Sequence, residues 1–231
     1  EQEAVGDIIR YDGVTNTYTL AGNASFKEND RQAQADTIQY NEATEETILI
    51  GNATYQDSTQ STAAQKIIYD QKKDVYSTRG RSFISDPPQI LQADQVDFDN
   101  ETGLGIASGN VIWQDTSQEL TIKCQLAEYD RVTDYLKASG GRPLLITKIE
   151  DDSLYLASDT LLAISRQDTI LVDSLQQIDT SRTLYAYYDV RIYKTDLQAI
   201  CDSLIYSTKD SLFRFFEEPL IWSDTSQFSA D

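Results

Sequence analysis

The side chains that could do chemistry in this sequence are carboxylates, because the chain has 38 Asp and Glu and no His. Without His, the commonest general base and the commonest metal ligand are missing. Two carboxylates could still form a glycosidase pair. Asp36, Asp94 and Asp202 stand out because each follows a small residue in a similar stretch, but such recurrence favours a repeated structural contact over one catalytic centre. We therefore predict no catalytic residues, no cofactor and no enzymatic activity.

One acidic stretch, DFDNETG at 97–103, has oxygen-bearing side chains at alternating positions, as a calcium-binding loop does. Its glycine, Gly103, is the seventh residue of the stretch, whereas a calcium loop requires glycine at the sixth position. The stretch is therefore predicted to be a hairpin turn, and no metal site is predicted.

These residues lie in copies of one repeat. A small residue is followed in most copies by an aliphatic residue three positions later and by an aromatic residue five positions later, as in QADTIQY, AAQKIIY and QADQVDF. The small residues are Gly6, Ala35, Ala64, Ala93, Cys124, Ala157, Cys201 and Ala230. A second phrase starts at Gly22, Gly51, Gly80 and Gly109, which are each 29 residues apart. The pattern predicts a single elongated repeat domain over 1–231, with about eight units of roughly 29 residues.

Two features interrupt or end this series. One unit is 44 residues long, from Ala157 to Cys201, which predicts an insertion near 163–187. The last residues of the chain, Ala230 and Asp231, begin another copy of the repeat. We therefore expect the chain to be a fragment of a longer protein.

Composition excludes some classes of partner. The net charge is −19 and no basic cluster is present, so a nucleic-acid backbone would be repelled. The sequence has no stretch of about 18 apolar residues, so no transmembrane segment is predicted in this chain.

Each unit contains two apolar runs between polar, turn-forming stretches, such as ILQADQVDF and LGIASGNVIW. Such runs are typical of β-strands joined by hairpins. Within a run the alternation changes parity, from Leu91 and Ala93 to Val96 and Phe98, which predicts a bulge or bend near the small residue or the Gly. We predict an all-β, antiparallel meander of about 15 strands, folded into two facing sheets with an apolar interior. A parallel β-helix with one coil per unit is the alternative, and polar turns at both ends of the strands favour the meander.

The stretch LQADQVDFDNETGLGIASGNVIWQD at 91–115 resembles the repeat of the OstA-like family of lipopolysaccharide-transport proteins, which includes LptA and the periplasmic part of LptD. The shared pattern is a Leu-x-Ala-Asp start, an aromatic residue four positions after the Asp, an acidic turn and a Gly-Asn-Val close. QAQADTIQYNEATEETILIGNATY and LTIKCQLAEYDRVTDYLKASGG repeat it. The 44-residue unit departs from the pattern and leaves open whether a groove continues past residue 160.

The resemblance implies an open, V-shaped β-jellyroll that takes part in lipopolysaccharide transport in the periplasm of a Gram-negative bacterium, where it can associate with the outer membrane. It also implies an apolar groove for the acyl chains of lipopolysaccharide, and head-to-tail pairing of edge strands with other Lpt-type jellyroll modules. Because a meander does not close on itself, the two unpaired edges are expected near GDIIRY and near FEEPLIW. The recurring apolar positions expected to contact the lipid are Ile38, Ile67, Val96, Phe98, Val111 and Trp113. The alternative is a structural or adhesive cell-surface β-repeat protein that binds no lipid and has a closed, dry interior.

Cys124 and Cys201 occupy the same repeat position two units apart. Four strands at about 4.8 Å each would separate them by about 19 Å. A disulfide spans at most about 7 Å between Cα atoms. Both cysteines are therefore predicted to be unpaired.

Overall fold

The computed structural model describes residues 2–149, 152–172, 175–223 and 225–230. The described residues contain β-strands, turns and bends but no helix, and their strand pairings are antiparallel. Accordingly, none of them forms a helix with the length and hydropathy needed to cross a membrane. The predicted all-β antiparallel meander is confirmed, and the alternative of a parallel β-helix is wrong. The chain divides into two compact units, Glu1–Ser117 and Gln118–Asp231.

The first unit contains nine strands in its described residues. They are β1 (Gln2–Val5), β2 (Ile8–Asp12), β3 (Thr17–Glu28), β4 (Arg31–Asn41), β5 (Glu46–Gln56), β6 (Ser61–Asp70), β7 (Val75–Asp86), β8 (Gln89–Asp99) and β9 (Leu104–Asp115). Each of the strands from β3 to β8 pairs with the next one along the chain. Two short strands share one long neighbour, since β2 pairs with the first half of β3 and β1 pairs with its second half.

The second unit contains ten strands in its described residues. They are β10 (Leu120–Asp130), β11 (Tyr135–Ser139), β12 (Leu144–Ile149), β13 (Asp152–Ala157), β14 (Thr160–Val172), β15 (Leu175–Lys194), β16 (Leu197–Ser207), β17 (Leu212–Phe216), β18 (Leu220–Ser223) and β19 (Ser226–Ser229). Long β10 pairs with β11 and β12, and long β16 pairs with β17 and β18. The described residues contain more strands than the 15 expected. In several places two short strands lie beside one long neighbour, where the prediction assumed a single long strand.

The predicted bend occurs in the middle of each long strand of the first unit. The pairing register shifts between Ala21 and Ala24 in β3 and between Ile50 and Ala53 in β5. The two residues inside these shifts are Gly followed by Asn, and all four have positive φ angles of 47–77°. Gly and Asn tolerate this conformation better than other residues. The Gly-Asn phrase of the repeat is therefore a β-bulge, which we call a corner.

The bend folds the two halves of each strand over a common interior. Ala33 and Ala53 lie on one side of the bend, Ile38 and Leu49 lie on the other side, and all four belong to one buried cluster. Tyr76 packs against the same cluster. A buried Leu or Ile side chain contributes about 1.5–3 kcal/mol to the stability of a fold. Apolar contact between the two halves of the bent strands therefore stabilises the bend, whose backbone conformation is made possible by the Gly and Asn of the corner.

Asp and Asn side chains organise the hairpin turns. In the turn after β2, Asp12 Oδ1 accepts a hydrogen bond from the Val14 N–H at 2.8 Å, and in the turn after β10, Asp130 Oδ1 accepts one from the Val132 N–H at 2.9 Å. The predicted turn at 97–103 has the same arrangement, because Asp99 Oδ1 accepts from the Thr102 N–H at 2.9 Å. Part of the acidic composition therefore has a local structural role.

The second unit contains the insertion. Its 44-residue repeat forms a longer hairpin, in which β14 and β15 continue to pair from Ser165 and Arg182 to Val172 and Leu175. Residues 173 and 174 of the insertion lie outside the described residues. The extra residues thus lengthen two strands that already pair, and the pairing of β15 with β16 is kept.

The two cysteines of the second unit are unpaired, as predicted. Cys124 lies in β10 and Cys201 in β16, and both side chains are buried. Burial raises the pKa of each thiol to about 11. Both residues therefore act as small core side chains.

Candidate functional site

The inner face of the first unit is built from three rows of side chains that run across the strands. The first, which we call the Leu20 row, follows the register Leu20, Ile38, Leu49, Ile67, Thr78, Val96 and Ala107. The second, the tyrosine row, consists of Tyr18, Tyr40, Thr47, Tyr69, Tyr76 and Phe98. The third, the Trp113 row, lies beyond the corners and consists of Phe26, Ala33, Tyr55, Thr62, Ile84, Leu91 and Trp113.

All six predicted groove residues lie on this inner face. Ile38, Ile67 and Val96 are members of the Leu20 row. Phe98 belongs to the tyrosine row and Trp113 to the Trp113 row, while Val111 lies on the same face of β9 as Trp113. Lipid contact by these residues stays a prediction.

The rows differ in exposure, and this separates the six residues into two groups. Ile67 is 2% exposed and Val96 is 4% exposed, so the Leu20 row forms a packed base in the structure. Phe98 and Trp113 are half-buried. A ligand can therefore reach Phe98 and Trp113 first, whereas contact with Ile67 requires the two half-sheets to separate.

The recurring acidic residues take part in hydrogen bonds within the fold. The Asn52 side chain donates to the Asp36 carboxylate at 3.2 Å, and the Asn110 side chain donates to the Asp94 carboxylate at 2.8 Å. Each Asp therefore contacts the Asn of a neighbouring corner. Asp202, in the second unit, accepts a hydrogen bond from the hydroxyl of Ser203. The contacts of Asp36 and Asp94 agree with the repeated structural contact expected from the sequence, whereas Asp202 makes a different contact.

Sequence reasoning missed four hydroxyl groups in the interior of the first unit. They belong to Thr62, Tyr76, Thr78 and Ser82, and we call them the hydroxyl cluster. Thr62, Thr78 and Ser82 are at most 3% exposed, and Ser82 Oγ donates to Thr78 Oγ1 at 2.6 Å. An alignment of the Gly phrases would have revealed two of them. Thr78 occupies the position of Leu20 and Leu49 in the other copies, and Ser82 occupies that of Ala24 and Ala53.

Two surface depressions of the first unit are lined mainly by residues outside the three rows, although the smaller one also contacts Tyr55 and Thr62 of the Trp113 row. The larger one has a volume of about 430 Å³ and is lined by exposed residues that include Thr54, Ala63 and Phe83. Neither depression involves the Leu20 row or the tyrosine row. The inner face is thus a packed wall in this structure, and no preformed cavity opens onto those two rows in the depressions described.

One protein-family model matches the chain. It describes the LptA/(LptD N-terminal domain) LPS transport protein family and matches residues 26–75. The matched segment contains Ile38 and Ile67, together with the corner of β5. The family is a family of transport proteins.

The chain also has a fold similarity to a solved structure, and no curated protein matches its sequence. The similar structure is LptH from Pseudomonas aeruginosa, described as the LptA homologous periplasmic component of the conserved lipopolysaccharide transport device. The sequence identity is 11%, the TM-score is 0.43, and the alignment covers 56% of this chain and 82% of LptH. The resemblance expected from the repeat is confirmed by the family model: over residues 26–75 this chain is similar to the LptA and LptD N-terminal family of lipopolysaccharide-transport proteins.

Proposed function

We propose that this protein takes part in lipopolysaccharide transport in the periplasm, and that it binds lipid acyl chains along the inner face of its first unit. The match of residues 26–75 to the LPS-transport family carries this proposal. The segment supplies β4, β5 and β6, whose Ile38, Leu49 and Ile67 are adjacent members of the Leu20 row. An apolar row that crosses several strands suits a long hydrocarbon chain.

The driving force is apolar burial. Each methylene group buried against the inner face contributes about 0.8 kcal/mol. Electrostatic attraction to anionic phosphates is excluded as the main term, because the chain has a net charge of −19. We therefore expect the acyl chains, and not the phosphorylated sugar, to provide most of the affinity.

The proposal includes contact with other jellyroll modules through edge strands. In the first unit, β1 and β2 both pair with β3, and the described residues of that unit provide no strand on their other side. Ile8 and Ile9 of β2 are 49% and 61% exposed. An added strand from another module would pair with this edge by β-augmentation.

A structural or adhesive role without lipid binding is the second candidate, and one observation favours it. Ile38, Ile67, Val96 and Val111 are already packed against protein atoms, with exposed fractions of 6% or less. An adhesive repeat would keep this interior closed, whereas a lipid carrier must open it. The two candidates therefore differ in whether lipid reaches the inner face.

Site-specific photo-crosslinking separates the two candidates. A diazirine side chain at Phe98 or Trp113 tests the half-buried part of the inner face, and the same group at Ile67 tests the packed base. Glu45 and Lys73, which lie in turns, are matched controls. We expect lipopolysaccharide to be captured at Phe98, Trp113 and Ile67 and not at the controls. Equal capture at all five positions, or capture at none, would reject the groove.

A further inference from the structure

Among the described residues of the first unit, one buried side-chain polar atom makes no hydrogen bond. The hydroxyl oxygen of Tyr76 is buried and has no hydrogen-bond partner in the described residues. Tyr76 also packs against the buried cluster that contains Ile38, Leu49 and Ile67. A buried hydroxyl without a partner is unfavourable, so its presence in a packed interior calls for an explanation.

The surroundings of Tyr76 show where its hydroxyl lies. Burial raises the pKa of Tyr76, and the nearby Thr62 hydroxyl offsets part of this rise. The two hydroxyl groups are close, but they do not meet the distance and angle of a hydrogen bond. Thr62 belongs to the Trp113 row, whereas Tyr76 belongs to the tyrosine row. The Tyr76 hydroxyl therefore lies between the two half-sheets.

The neighbouring tyrosines differ from Tyr76 in this respect. The Tyr69 hydroxyl donates to Asp74 Oδ1 at 2.9 Å, and the Tyr55 hydroxyl donates to Asp57 Oδ2 at 3.2 Å. Both of these hydroxyls are satisfied by carboxylates in hairpin turns. Thr78 and Ser82 are also satisfied, because they are hydrogen-bonded to each other. The Thr62 hydroxyl oxygen accepts a hydrogen bond from the Gln60 side-chain amide at 3.5 Å. Within the hydroxyl cluster, the Tyr76 hydroxyl is thus the group that makes no hydrogen bond.

We propose that the Tyr76 hydroxyl recognises an oxygen atom, carried as a hydroxyl, ester or amide group on an acyl chain, when such a chain enters the interior of the first unit. This inference rests on the proposed binding of acyl chains and adds a chemical preference to it. The phenol donates a hydrogen bond to the ligand oxygen. A plain hydrocarbon chain leaves the hydroxyl unpaired, and an oxygen-bearing chain placed against the purely apolar part of the wall leaves its own oxygen unpaired. The free-energy costs of the unpaired Tyr76 hydroxyl and of the unpaired ligand oxygen are both removed only when the two groups form a hydrogen bond with each other.

The test compares two probes, myristic acid and 3-hydroxymyristic acid, by displacement of a fluorescent fatty acid from the full chain. A single neutral hydrogen bond corresponds to a difference in affinity of roughly 2–12-fold. We expect the wild-type protein to bind 3-hydroxymyristic acid at least about 3-fold more tightly than myristic acid. Tyr76→Phe should abolish this preference. Tyr69→Phe, which removes a satisfied hydroxyl from the same row, should retain the preference.

Three results would overturn the inference. The first is a wild-type protein that binds both acids equally, as it would if the Tyr76 hydroxyl were satisfied by a trapped water. The second is a Tyr76→Phe variant that keeps the preference, and the third is a Tyr69→Phe variant that loses it. Binding of neither acid would reject the proposed lipid binding and this inference with it, so the failures are distinguishable. The urea midpoint of Tyr76→Phe should equal or exceed that of the wild type, since an unpaired buried hydroxyl has been removed, and this confirms that the variant is folded.

Discussion

At the scale of single residues, the Gly of each corner is required by both conformation and space. Gly51 has a φ angle of +77°, and a Cβ atom added there would lie 2.2 Å from Asp36 Oδ2. The same relation holds between Gly109 and Asp94, where the added Cβ would lie 2.6 Å from Oδ2. The recurring Asp therefore packs against the Gly of the neighbouring strand and accepts a hydrogen bond from the Asn that follows it.

Gly51→Ala should destabilise the protein by about 1–3 kcal/mol, because a non-glycine residue at positive φ is strained and the Asp36 side chain must move. Urea denaturation followed by circular dichroism measures the loss. Gly13→Ala is the matched control, since an added Cβ there meets only Tyr11 Cε1 at 3.7 Å. We expect the control to change stability by less than about 0.5 kcal/mol. Equal stability of the two variants would contradict this role of the corner.

At the scale of elements, the hairpin turns depend on ionised Asp side chains. Asp130 accepts hydrogen bonds from the Thr133 side chain at 2.8 Å and from the Val132 N–H at 2.9 Å. These bonds, chiefly that from the Thr133 side chain, hold the pKa of Asp130 below its ordinary value. A lowered pKa in the folded state means that the stabilisation is complete above the unfolded pKa of about 3.9 and is lost as the pH falls through the folded pKa.

Asp130→Asn should therefore reduce the acid sensitivity of the protein. Its urea midpoint at pH 7 should be slightly lower than that of the wild type, because an amide oxygen is a weaker acceptor than a carboxylate. Between pH 5 and pH 3 the midpoint should fall less steeply than in the wild type. Glu101→Gln, which removes a carboxylate from a turn but leaves the Asp99 acceptor in place, should follow the wild-type curve in shape. Parallel curves for Asp130→Asn and the wild type would show that this turn does not contribute to the pH dependence.

At the scale of the whole molecule, the free edges determine how copies can meet. The first unit ends in β1 and β2, which pair with β3 on one side. The sequence predicted the last edge near FEEPLIW, but β18 (Leu220–Ser223) pairs with both β16 and β19. The prediction was wrong for β18, because the short run 226–229 adds a further strand. The β2 edge is therefore the better-defined candidate for strand addition.

Ile9→Pro should weaken association between copies at high protein concentration. Proline removes a backbone donor from β2 and disturbs its extended conformation. Light scattering coupled to size-exclusion chromatography measures the change in average mass with concentration. Ile9→Thr is the control, because it reduces the exposed apolar side chain but keeps the donor. Association that persists in Ile9→Pro, or that is lost equally in Ile9→Thr, would argue against pairing through this backbone edge.

The sequence by itself determined the strands, their antiparallel pairing, the mid-strand bends and the unpaired state of both cysteines. These features depend on local signals, since alternation records which side of a strand is buried and Gly-Asn marks a bulge within a few residues. The repeat then showed that neighbouring strands carry equivalent positions. In this way Ile38, Ile67 and Val96 could be assigned correctly to one face.

Only the tertiary structure decided which parts of that face are open and which are packed. The alternation of apolar and polar residues places Ile67 and Phe98 on the same inner face. Ile67 is nevertheless buried and Phe98 only half-buried, because the opposite half-sheet covers the Leu20 row. The proximity of Tyr76 and Thr62 was likewise hidden, as their contact depends on how far the halves fold together. Periodicity is a property of one strand, whereas these contacts join residues that the bend brings together from different halves of the strands. The physical reason is that burial against a facing half-sheet depends on residues distant in the sequence, so a repeated local pattern cannot predict which residues it buries.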